Sequence, residues 1–166
     1  LSLHDVLPIY FAKNASSSTF ILAEGYMDVI AMNQAGFENV VATLGTAITP
    51  EQARLIANYA KEVVLAYDSD GAGQRATQRA INYFGEVGLP TRILRMEGAK
   101  DPDEYIKKFG RDRFRNLIEQ AGDALAFRLE KCGDGLDLNT EAGKTELLRR
   151  SVRVLAELKN PLEQEV

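Results

Sequence analysis

Two aspartates, Asp68 and Asp70, stand one residue apart in the stretch "YDSDGAG" (Tyr67 to Gly73), directly after an apolar run and directly before a helix-like segment. Residues two apart in an extended segment point the same way, so this pair can share one ligand. Glu24 closes another apolar run, and Asp28 follows four residues later, on the same side of the next helix's first turn. Asp101 and Asp103 come after a further such run. Gathered at one place, these six carboxylates would bind protons more tightly and cost stability unless a cation sat among them. A donor set of oxygens without His or Cys favours a hard ion, Mg2+ or Mn2+, over zinc. Glu24, Asp28, Asp68, Asp70, Asp101 and Asp103 are therefore candidate metal ligands. Gly71 and Gly73 let a backbone approach closely, and a helix starting near Ala72 offers amide hydrogens to a phosphate. Structural roles compete for some of these residues: Asp101 suits a helix N-cap with Pro102 first in the helix and Glu104 as capping partner, and Asp28 suits the positive end of a helix dipole.

The elements that must position these groups alternate. Short apolar runs at Thr19 to Gly25, Asn39 to Gly45, Glu62 to Asp68 and Thr91 to Met96 read as buried parallel strands. Between them lie helical patterns. Met27, Ile30 and Ala31 recur at helical intervals, with Gly36 as a stop. Thr49, Pro50 and Gln52 form the start of a second helix: cap, first-turn proline and capping-box partner. A third helix runs from Ala72 to about Gly88. Strand–helix alternation predicts a parallel sheet flanked by helices, with ligands outside the carboxyl ends of the strands, where all the acidic residues fall. From Asp101 onward the pattern is helical. The expected organisation is an irregular N-terminal lead-in over residues 1–17, an α/β domain over 18–100 and a helical subdomain over 101–166.

Composition narrows the function. Apolar residues are 45% and charged residues 27% of the 166, which places the chain among folding globular sequences rather than disordered ones. No apolar run approaches the roughly 18–20 residues needed to cross a bilayer, and the N-terminus lacks the order of a secretion signal, so a cytoplasmic protein without membrane contact is expected. A net charge of −4 argues against a nucleic-acid binder that uses its whole surface. Lys107 to Arg115 and Arg149 to Arg153 are locally basic and suit solvated helix faces. Cys132 has no partner for a disulfide or a zinc site, and His4 is alone.

The segments "AEGYMDVIAMNQAGF", "VVATLGTAIT", "VVLAYDSDGAGQRAT" and "DPDEYI" occur in this order, and together they resemble the Toprim catalytic domain of bacterial DnaG-type DNA primases. The Glu-Gly and Asp-X-Asp signature alone is shared with topoisomerases and some nucleases; the surrounding residues narrow the likeness to primases. The resemblance implies that Glu24, Asp68 and Asp70 are the catalytic acids and that Asp28, Asp101 and Asp103 occupy further acidic positions around them. It also implies synthesis of short RNA primers on single-stranded DNA from nucleoside triphosphates, at the bacterial replication fork. The chemistry implied is phosphoryl transfer with two or more Mg2+ or Mn2+ ions, Glu24 serving as a ligand or a general base. Members of this family carry a zinc-binding domain, a basic subdomain and a region that engages the replicative helicase. Zinc and helicase are expected to belong to parts outside these 166 residues, and the chain is expected to be a fragment that primes poorly alone. "LSLHDVLPI" matches nothing expected before "AKNASSS" and reads as a non-native end. Competing readings are a Toprim nuclease or topoisomerase fragment, a non-catalytic Toprim adaptor in recombination, and a receiver-like domain with Lys100 as its lysine.

Overall fold

The computed structural model describes residues 9–43 and 48–157. Four parallel strands, β1 (Thr19–Ala23), β2 (Val40–Ala42), β3 (Glu62–Ala66) and β4 (Thr91–Ile93), form a sheet with a short antiparallel fifth, β5 (Gly122–Asp123), in the order β2-β1-β3-β4-β5. The first three strands are continuous apolar runs, as burial on both faces requires. Apart from Thr19 and Glu62 at their first positions, every residue of β1, β2 and β3 is buried. Register carries the functional consequence. Ala23 lies opposite both Ala42 and Ala66, so the residues that follow β1 and β3 leave the sheet at the same level.

The flanking helices follow local signals. In α2 (Tyr26–Gln34) the buried residues are Val29 and Met32, whereas Met27 and Ile30 are exposed. The expected helix is present but its inner face differs, because apolar side chains occur all round this segment and packing against Phe37 and the sheet chooses among them. Gly36, at φ +88°, ends it as expected. In α3 (Pro50–Ala57) the capping box is complete: Thr49 Oγ1 accepts from Gln52 N–H at 3.2 Å and Gln52 Oε1 accepts from Thr49 N–H at 2.9 Å. α4 (Gly71–Glu86) packs beside α3. Residues 9–12, expected to be irregular, form a helical turn, α1, with Ile9 and Ala12 fully buried. Leu44 to Ala47, within the "LGTAIT" motif, and the first eight residues lie outside the described part.

The chain divides into two units, Leu1–Asp123 and Ala124–Val166, rather than at residue 100. The reason is burial. α5 (Pro102–Phe109) packs on α2, and α6 (Arg111–Glu119) brings Phe114, with no exposed surface, into the cluster of Ile21, Met32, Val40 and Val64. Phe114 meets the Phe37 ring edge-on at a centroid distance of 5.3 Å. An ion pair secures the same region: Arg92 Nε and Nη2 bond both oxygens of Glu62 at 2.9 and 2.8 Å, and Arg92 Nη1 reaches the Ile118 carbonyl at 3.0 Å. The end of α6 is thereby tied to β3 and β4. In the second unit, α7 (Ala124–Lys131) and α8 (Glu141–Ala156) pack together, and Thr140 caps α8 by accepting from Gly143 N–H at 3.0 Å.

Replacing Phe114 by alanine is expected to destabilise the first unit by about 3–5 kcal/mol, the usual cost of emptying a buried phenylalanine site. Urea unfolding followed by circular dichroism measures it. A change of under about 1 kcal/mol would detach α6 from the core.

Candidate metal and phosphate centre

The acidic residues collect where β1, β3 and β4 end. Glu24 follows β1 and Asp68 lies two residues beyond β3, and their common level lets Glu24 Oε1 accept the Asp68 backbone N–H at 3.2 Å. That bond joins the two loops through a carboxylate. Burial raises the Glu24 carboxyl above its ordinary value, and the charges of Asp68, Asp70 and Asp28 add to the effect against the opposing Asp68 amide. Asp68 is raised by burial, then by Asp101 and Asp70, with Lys100 opposing. Asp28, in the first turn of α2, is pushed up to about 6 by burial and then by Asp101 and Asp68, against partial relief from the backbone N–H groups of Gly25 and Asp103. Glu24, Asp28, Asp68, Asp70 and Asp101 thus bear on one another across three loops.

Two members also close helices. Asp70 caps α4, Oδ1 accepting from the N–H groups of Ala72 and Gly73, both at 2.8 Å. This changes the expectation of a phosphate cradle at Gly71 and Gly73: the amides of Ala72 and Gly73 are already taken by a carboxylate. Gly73 serves close packing instead. A Cβ there would stand 2.8 Å from Glu24 Oε1 and closer still to the Asp68 carbonyl, so only glycine lets α4 seat against the loop. Asp101 caps α5, accepting from Glu104 N–H at 2.7 Å. Glu104, expected to close a capping box on Asp101, instead accepts the N–H of Lys100 at 2.9 Å. Asp103 pairs with Lys107 at 2.6 Å, which turns its carboxylate along α5 and leaves only its amide toward Asp28.

A link that spacing did not disclose joins the two acidic loops. Ser69, between the aspartates, donates its N–H to the Lys100 carbonyl at 3.0 Å, and its hydroxyl lies 3.4 Å from the carbonyls of Ala99 and Lys100. Among the described residues no three acidic, His or Cys side chains close on a single point at chelating distance. Asp70 and Asp101 each use Oδ1 on a helix start. The donor chemistry fits a hard divalent cation: Glu24, Asp28 and Asp68, whose proton affinity is raised by burial and by neighbouring carboxylates, would lose that repulsion to a bound ion.

Two substitutions probe this arrangement. Gly73→Ala is expected to destabilise the protein by about 1–3 kcal/mol through overpacking, whereas Gly85→Ala, later on the same helix with nothing within 4 Å, is expected to be neutral or stabilising by up to about 1 kcal/mol. Denaturant midpoints compare the two, and equal effects would mean that α4 has room at Gly73. Asp28, raised from its ordinary 3.8 to about 6, holds more protons folded than unfolded between those values. The stability its protonated form supplies is complete at low pH and is lost as pH rises through about 6. Asp28→Asn is therefore expected to raise Tm at neutral pH and to leave it unchanged in acid; a lowered Tm at both would show that the carboxylate is not under repulsion.

Comparison with known proteins accords with this geometry. Residues 21–106 match the model of the Toprim-like family, and residues 125–166 match that of the DnaB-helicase binding domain of primase. The second match corrects the expectation that the helicase-engaging region lies wholly outside this chain. The chain is 37% identical to a DNA primase of Clostridium acetobutylicum over 95% of its own length and 26% of that protein, and 36% identical to one of Enterococcus faecalis over 89% and 24%. It thus spans about a quarter of the length of these relatives. Among solved structures it superposes on a DnaG primase catalytic domain bound to single-stranded DNA with a TM-score of 0.82 and 28% identity, over 96% of this chain and 53% of that one. For the Aquifex aeolicus primase, zinc-binding and RNA polymerase domains, the values are 0.80 and 28%, over 99% and 40%. With the family model matching more than half of its residues and the signature acids collected at one end of its parallel sheet, the chain belongs to the Toprim-like family.

Proposed function

We propose that this chain is the metal-binding part of a bacterial DNA primase, acting at the replication fork in the cytoplasm. The whole primase joins nucleoside triphosphates into a short RNA primer on a single-stranded DNA template. The observation that carries the reading is the Glu24 carboxylate bonded to the Asp68 amide while Asp28, Asp70 and Asp101 crowd the same edge. Glu24, Asp68 and Asp70 would hold Mg2+ or Mn2+, and Asp28, Asp101 and Asp103 would set the charge around them. Two such ions, when bound, supply activation of a primer hydroxyl and stabilisation of a triphosphate and its leaving pyrophosphate. The protein's own part is positional: Asp70 and Asp101 fix the starts of α4 and α5, and Ser69 holds their loops together. Glu24 is the better ligand than base, since its Oε1 is oriented by the Asp68 amide. The Clostridium and Enterococcus relatives are primases, which favours primer synthesis over strand cleavage or a non-catalytic adaptor. Residues 125–166 are the part of this chain through which the helicase would be met, by the likeness of that segment to a helicase-binding domain.

Calorimetric titration of manganese tests the reading. Asp68→Asn is expected to lose at least about tenfold in affinity relative to the unsubstituted chain, and Asp70→Asn a smaller share, because its cap can be kept by asparagine. Equal binding by all three proteins would remove the metal centre from these residues. The 166-residue chain alone is expected to extend primers poorly, as read by incorporation of labelled ribonucleotides on a DNA template.

A further inference from the structure

Nucleotide phosphates brought to an acidic edge need positive charge from the protein as well as from metal, and the start of α4 does not supply it. Ala72 and Gly73 already donate to Asp70. Two cations flank the Asp68-Ser69-Asp70 loop instead. Lys100 is pinned through its backbone on both sides: its N–H donates to Glu104 Oε2 at 2.9 Å and its carbonyl accepts from Ser69 N–H at 3.0 Å. Its side chain is left outward, 77% exposed, with Nζ 3.7 Å from Asp101 Oδ2. At that distance and exposure the pair contributes little to stability, so the ammonium can be redirected at small cost. The second cation, Arg75, is exposed one turn into α4, and its guanidinium folds back over the helix start, Nη1 lying 3.6 Å from where a Cβ on Gly71 would be. No carboxylate pairs with Arg75 among the described residues.

We propose that Lys100, with Arg75 as a second contact, binds the polyphosphate of the nucleotide at this edge. The inference rests on the metal-centre reading above. A rigid backbone and a movable ammonium together suit phosphate binding. The anchor lies between both acidic loops, while the flexible stem carries three donors to whichever phosphate oxygens the metal leaves open. Neither side chain holds an element of the fold in place: Lys100 joins the two loops through its main chain, which substitution keeps.

The probe is fluorescently labelled GTP with manganese in excess, read by anisotropy on the full chain, with labelled GMP as the comparison. Lys100→Ala is expected to weaken GTP about tenfold and GMP less than about threefold, Arg75→Ala to weaken GTP about threefold, and Lys100→Arg to stay near the unsubstituted value. Manganese affinity measured alone should be unchanged or tighter in Lys100→Ala, because a competing cation has gone. GTP binding unaffected by Lys100→Ala, equal losses for GTP and GMP, or no GTP binding by the manganese-loaded unsubstituted chain would each overturn the proposal and leave the metal centre standing. Failure of the unsubstituted chain to bind manganese would overturn the metal centre, and this inference with it.

Discussion

Mutual repulsion among carboxylates, held in place by strand register, is the constraint on which the rest of this structure turns. Because Ala23 and Ala66 are paired, Glu24 and Asp68 emerge side by side, and one N–H to carboxylate bond of 3.2 Å is what joins them directly. Burial and the neighbouring aspartates all raise the proton affinity of Glu24 against that single bond. Such a centre lowers the stability of the protein that carries it, and it persists because the apolar sheet beneath leaves those residues no other level at which to exit. Buried Ile21, Leu22, Val64 and Leu65 are what oppose the repulsion.

Helix starts then turn loose acidic loops into defined ones. Asp70 and Asp101 each give one oxygen to backbone amides, so a residue that could face a ligand also terminates a helix. Gly73 sets how near α4 comes, and the Ser69 to Lys100 bond prevents the β3 and β4 loops from moving apart. Among the described residues no three of the acidic side chains close on a single point. A bound divalent cation would relieve the repulsion among Glu24, Asp28 and Asp68.

Packing also explains why the acidic edge extends past the α/β alternation. Asp101 belongs to α5, and α5 is held by α2 and by the aromatic contacts of Tyr105 and Phe114. Arg92, bonded to both oxygens of Glu62 and to the Ile118 carbonyl, anchors the far end of the same helical pair. Helices that read as a separate subdomain are in this way part of the site's scaffold. The second unit, residues 124 onward, has its own caps and ion pairs and carries the segment similar to a helicase-binding domain.

The four parallel strands, the capping box at Thr49 and the gathering of Glu24, Asp68 and Asp101 at one sheet edge were legible in the sequence, because they rest on local chemistry: apolar runs, cap residues, and the rule that parallel strands present their carboxyl ends together. Four features were not. The inner face of α2 is Val29 and Met32 because Phe37 and the sheet select it, and residue spacing around an apolar helix leaves that choice open. Glu104 bonds Lys100 rather than Asp101, and Asp70 takes the amides that a phosphate was expected to meet, because a hydrogen bond goes to whichever donor the backbone brings within reach. α6 joins the first unit because Phe114 finds a cavity made by residues from four distant segments, which no local pattern can announce. Residue types and order determined which groups gather and which chemistry they suit; three-dimensional packing alone decided which of their oxygens and cations remain free to use it.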